Sequence, residues 1–115
     1  MKEAQDLHHC AMQAAAEADA AQRSQDSARA RHLFFDAFQL ERAAARAVGL
    51  DLEPTRSILC RSAASLALDC ELPGEALQLV RMARQGTPPA AIVAELDEIE
   101  QQSQASLGLL HRQAS

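Results

Sequence analysis

Two cysteines, Cys60 and Cys70, stand ten residues apart in "SILCRSAASLALDC", among small residues and arginines. A thiol can serve as a nucleophile, a disulfide partner or a metal ligand, and each use demands a particular spacing. On a helix, ten residues set the two sulfurs about 80° apart in azimuth and about 15 Å apart along the axis. No disulfide closes within a helix over that separation. Neither cysteine has a CxxC partner to begin a zinc site, and "CRSAASL" lacks the downstream arginine of a phosphatase-type thiolate loop. The expected role is plain: both are small apolar side chains buried between helices.

"LHHC" at Leu7–Cys10 places His8, His9 and Cys10 in a row. Neighbours on a helix diverge by about 100°, so chelation would need a further ligand such as His32 or His111. No metal site and no cofactor are expected. The carboxylates of Asp36, Glu41, Asp97 and Glu98 lack a fixed His or Ser partner, and the chain has no glycine-rich phosphate loop and no nucleophile motif. The protein is therefore expected not to be an enzyme; catalysis, if present, would fall to Cys10 or His32. Arg42 and Arg46 lie one turn apart, as do Arg81 and Arg84, while Arg56 and Arg61 flank one helix. Glu41, Glu53 and Asp69 are the expected counter-charges on neighbouring helices.

Helices must position these groups. The chain has 115 residues, of which 48% are hydrophobic and only 3% aromatic. Its apolar mass is Ala and Leu, which favour helix, and strand-favouring residues are scarce. One all-α domain of about five antiparallel helices follows. The first covers roughly Lys2–Gln22. The second, Ala28–Val48, is capped by Asp26 or Ser27 and holds Phe34, Phe35 and Phe38, so it should anchor the core. Gly49 is expected to take the left-handed conformation after that helix. The third and fourth run Thr55–Cys70 and Pro73–Arg84. Thr87 as N-cap and Pro88 as first residue open the fifth, to about residue 102. That helix either continues past the polar "QQSQAS" or stops there, in which case residues 103–115 dock as a last turn or stay loose.

The formal net charge of −5 disfavours a grip on a phosphate backbone, which needs a positive face. No apolar run approaches a membrane span, and "MKEAQDLHHC" is no signal peptide. A cytoplasmic protein with reduced thiols, without membrane attachment and with nucleic acid an unlikely partner, is expected.

The small residues carry a further pattern. Ala64 and Ala67 are followed by Ala76, Val80, Ala83 and Pro88; Ala18 and Ala21 are followed by Ala30, Phe34 and Ala37 at the same spacing, 46 residues earlier. This spacing resembles the tetratricopeptide (TPR) repeat, in which small residues mark the crossing of two helices and a proline closes the unit. Ser57–Ala90 has the 34-residue length of that repeat, although Cys60 and Ala67 stand where the family has large residues. "RSAASLALDC" is also similar to a block in small bacterial helical proteins without assigned activity. The resemblance implies two TPR-like hairpins, about 11–48 and 57–90, and a capping helix at about 88–102. It further implies a non-enzymatic module that binds a peptide or partner helix in a short concave groove. By position, that groove would be lined by Met12, Ala15, Asp19 and Gln22 from the first unit, and by Ile58, Arg61, Ser65 and Leu68 from the second. Arg61 would favour an acidic residue in the ligand. With two units the groove is short, and a homodimer through an exposed helix face is a further expectation. The alternative is a regulatory subunit that contacts nucleic acid, or a nucleic-acid enzyme, through the arginine pairs.

Overall fold

The computed structural model covers Lys2–Ala114, without the side chains of His111 and Ala114. The fold is all-α. Its five helices are α1 (Lys2–Arg23), α2 (Ser27–Arg46), α3 (Thr55–Asp69), α4 (Pro73–Arg84) and α5 (Ala90–Ala114), with no strand among the described residues. Each helix packs on the next, and α5 also returns to α3. The molecule measures 40 × 32 × 20 Å. Its short dimension is about two helix diameters, as expected when each helix can bury only one stripe.

Alanines form the seams. Ala11, Ala18 and Ala21 on α1 and Ala30, Ala37, Ala44 and Ala45 on α2 are buried. Ala63, Ala64 and Ala67 on α3 and Ala76 and Ala83 on α4 repeat the arrangement. Small side chains at a crossing let two axes approach, and larger ones fill the flanks. Phe38 and Val80 supply that bulk and are fully buried. Of the other phenylalanines, Phe34 is half-buried against the core and Phe35 is exposed, its ring 6.1 Å from that of Phe38.

Both hairpins turn in the same way. After α1, Asp26 N–H donates to the Ala21 carbonyl and Gln25 N–H to that of Gln22. After α3, Leu72 N–H donates to the Ala67 carbonyl and Glu71 N–H to that of Leu68. These are paired helix-terminating bonds, with Gln25 at φ 64° and Glu71 at φ 58° in the left-handed position. Asp26 then caps α2 by accepting from Arg29 N–H at 3.2 Å. The left-handed residues are thus Gln25 and Glu71; no glycine has positive φ. At Gly49 a Cβ would lie 2.7 Å from Asp51 Oδ1, the tip of an exposed side chain that can move aside.

The fifth helix departs from expectation at its start. It starts at Ala90, not at Pro88, because Pro89 pushes the residue before it out of helical conformation. The Pro89 carbonyl receives the first amides, those of Ile92 and Val93. The helix then continues through "QQSQAS" to Ala114, the longer of the two ends the sequence leaves open. Ser103 is fully buried in that stretch, and its hydroxyl donates to the Ile99 carbonyl at 2.7 Å. That local bond satisfies the polar group, so a serine there need not end the helix.

Candidate binding surfaces and polar pairs

α3 and α5 run in the same direction where they pack. Arg61, at the middle of α3, faces Glu95 in the first half of α5, and Leu68 near the end of α3 shares a cleft with Ser106 and Leu109 further along α5. Gln22, at the end of α1, lines a cleft of about 270 Å³ with Asp69 and Cys70 at the end of α3. Of the eight expected groove residues, Met12, Asp19, Gln22, Ile58 and Ser65 are exposed, while Ala15, Arg61 and Leu68 are half-buried. Gln22 and Leu68 line separate clefts, the second of about 370 Å³. Met12 and Ile58 are the large apolar members that reach solvent, at 37% and 38% exposure.

Arg61 is not a free cation in a groove. Its Nη1 lies 3.1 Å from Glu95 Oε2, while its Nε is buried without a hydrogen-bond partner. The close approach is an ion pair by distance that lacks hydrogen-bond alignment, since Glu95 Oε2 likewise has no hydrogen bond. Arg42, Arg84 and Arg56 are also engaged, though not with the expected partners. Arg42 reaches Glu75 at 3.2 Å and lies 4.7 Å above the Phe38 ring. Arg84 spans Asp97 at 2.7 Å and Glu100 at 2.6 Å, clamping α4 to α5. Arg56 is buried and donates to the Met82 carbonyl at 2.8 Å. Beside it, Glu53 accepts from the buried Ser57 hydroxyl. A Cβ at Gly86 would come within 2.8 Å of Glu53 Oε1 and 3.2 Å of Arg56 Nη1, so the chain there must be glycine-thin.

The carboxylate that matters most is one whose surroundings were not foreseen. Glu41 is fully buried on α2, and His8 Nδ1 on α1 stands 2.9 Å from each of its oxygens. A carboxylate only accepts, so Nδ1 carries the proton and donates. A signal for this burial existed: Glu41 continues the register Phe34, Ala37, Phe38, Ala44, Ala45, the core stripe of α2. The remaining helix-surface pair, His32 Nε2 and Asp36 Oδ2, is 3.5 Å apart and well exposed.

Among the thiols, Cys60 is buried, Cys70 half-buried and Cys10 exposed, and none is in a disulfide. Burial pushes the Cys60 thiol up to about 11, with Glu53 adding to the rise and Arg56 opposing it. Burial, then the neighbouring Asp69 charge, pushes Cys70 to about 11 as well. Both stay protonated at neutral pH, the form that neither attacks nor binds metal. Asp69 is exposed as a residue, yet its carboxyl is raised by partial desolvation and by the Asp19 charge. Among the described residues no three His, Cys, Asp or Glu side chains gather to hold a metal, and no helix is long and apolar enough to cross a membrane. His111, a possible further ligand, has a side chain outside the described residues.

A further cleft, of about 510 Å³, lies between α1 and α2 and is lined in part by Cys10, Leu33 and Leu40. No protein-family model, curated protein or solved structure matches the chain.

Proposed function

We propose that the chain is a non-enzymatic, cytoplasmic interaction module of TPR-like architecture. It binds a segment of a partner protein along the face shared by α1 and α3. The observation that carries this reading is the equivalence of the two hairpins. Gln25 and Glu71, the left-handed turn residues, are 46 residues apart. The same offset relates Ala18, Ala21, Ala30 and Ala37 to Ala64, Ala67, Ala76 and Ala83, all buried. It also relates Met12 to Ile58, which leave the same fraction of their surface in water. Equivalent hairpins side by side present equivalent faces, and stacked hairpins of this kind form extended binding surfaces.

The structure changes the ligand chemistry this face would prefer. With Arg61 held by Glu95, the charges left on the cleft at the end of α1 and α3 are Arg31, Asp69 and Glu71, with Asp19 beside Asp69, a set that stays net acidic. An extended or helical segment with apolar residues and a terminal cation fits better than an acidic one. The test is affinity capture from the native cell extract with wild type and with the double variant Met12→Asp, Ile58→Asp, both shown to be folded. The double variant loses the wild-type partner. Identical captured sets would remove this reading.

A further inference from the structure

We infer that the cleft between α1 and α2 is a second, independent docking site, and that its occupant is a basic amphipathic helix of another protein. The walls have helical period on both sides. Ala14 and Glu17 come from α1, and Leu33, Asp36, Leu40 and Ala43 from α2, at steps of three and four. Such a stripe matches the ridge of a third helix laid along two antiparallel ones. Leu33 and Leu40 are half-buried but take no part in the core, so the hairpin leaves this apolar edge uncovered. Ala14 and Ala43 keep the walls low, which lets a helix axis come close.

Charge selects the kind of helix. Glu17 and Asp36 stand on opposite walls, and no Lys or Arg lines the cleft. Of the two cations on the adjoining surface, Arg42 is turned to Glu75 and to the Phe38 ring, and Arg46 stands beyond Ala43 in the last turn of α2, opposite Glu3 across that surface. His32 touches Asp36 at 3.5 Å but is itself 76% exposed and easily displaced. A second copy docked symmetrically here would bring these carboxylates toward their own equivalents, in a chain of net charge −5. A helix with leucines on one face and lysines on its flanks meets both features at once.

The probe is a fluorescein-labelled synthetic helix of about three heptads, with Leu at the inward positions and Lys beside them. Anisotropy is read at low salt against wild type and against the variant Glu17→Lys, Asp36→Lys, with circular dichroism to establish that the variant folds. Two controls carry the same label: the same peptide with Glu for Lys, and a scrambled Lys peptide of identical composition. The expected result is micromolar binding of the Lys helix and at least tenfold weaker binding of both controls. The charge-swapped variant should lose at least tenfold for the Lys helix and gain for the Glu helix. Met12→Asp should change nothing, which separates this site from the α1–α3 face. Equal binding of the scrambled peptide, no binding of the Lys helix, or no effect of the charge swap overturns the inference. So does a wild-type dimer in sedimentation that Leu33→Asp, Leu40→Asp abolishes, because the occupant would then be a second copy.

Discussion

Removing the imidazole of His8 isolates a carboxylate that has no other way out of the core. Glu41 is 0% exposed, and its hydrogen bonds are to His8 Nδ1, 2.9 Å from both oxygens. Breaking a buried pair by deleting one partner costs about 3–5 kcal/mol, because the survivor stays desolvated and unpaired. The His8 side chain is itself 43% exposed, so water can follow where the ring was and recover part of that cost. The expected loss for His8→Ala is therefore about 2–3 kcal/mol, or roughly 8–12 °C in Tm for a domain of this size. His32→Ala is the internal control. Its pair with Asp36 sits at 76% and 42% exposure, and such pairs are worth about 0.5 kcal/mol or less. The assay is urea unfolding followed by circular dichroism for wild type, His8→Ala, Glu41→Met, the combination of those two, and His32→Ala. Replacing both members of a buried pair with apolar residues is often neutral, so the double variant should recover much of the His8→Ala loss. The reasoning is refuted if His8→Ala lies within about 0.5 kcal/mol of wild type, or if the two effects simply add with no coupling between the sites.

Thiol chemistry gives a second check: with Cys60 and Cys70 raised to about 11, alkylation at pH 7.5 should modify Cys10 alone in the folded protein and all three thiols in denaturant. Two fast thiols in the native state would contradict their placement. Gln25→Gly and Glu71→Gly should each stabilise by about 0.5–1 kcal/mol, since glycine takes positive φ without the Cβ clash; a loss in chemical denaturation at either site would show that the turn is not left-handed. Asp69 supplies a pH dependence. Its carboxyl is raised in the folded state, by desolvation first and by Asp19 second, so ionising it opposes folding. That penalty grows as pH rises from the unfolded carboxyl range through the folded value, and is then constant. Asp69→Asn should thus stabilise at pH 7, with the gain vanishing below about pH 3; stability curves of the two proteins that run parallel across pH 3–7 would rule this out.

Helix content and hairpin geometry were legible because they depend on local chemistry repeated many times. Alanines at threes and fours mark a seam wherever they occur; the left-handed turn residues themselves, Gln25 and Glu71, carry no such signal, and the chain closes both turns without glycine. What stayed hidden depends on long-range partners. Arg61 in isolation is a cation near an apolar face; only the approach of α5, 34 residues on, shows that Glu95 meets it. Ser103 in "QQSQAS" looks like an interruption until its hydroxyl finds the Ile99 carbonyl one turn back. Glu41 is the instructive case, because its position on the core stripe was visible while its charge argued against burial. A carboxylate on such a stripe needs a donor on the facing helix, and α1 offered one histidine whose ring could reach it. Read that way, "LHHC" carries meaning after all: His8 is drawn inward to Glu41, while His9 and Cys10 remain in solvent on diverging sides of the same turn. One of the three residues that looked like a metal cluster is a structural proton donor. Cys10, left outside, lines the cleft where a partner helix would lie.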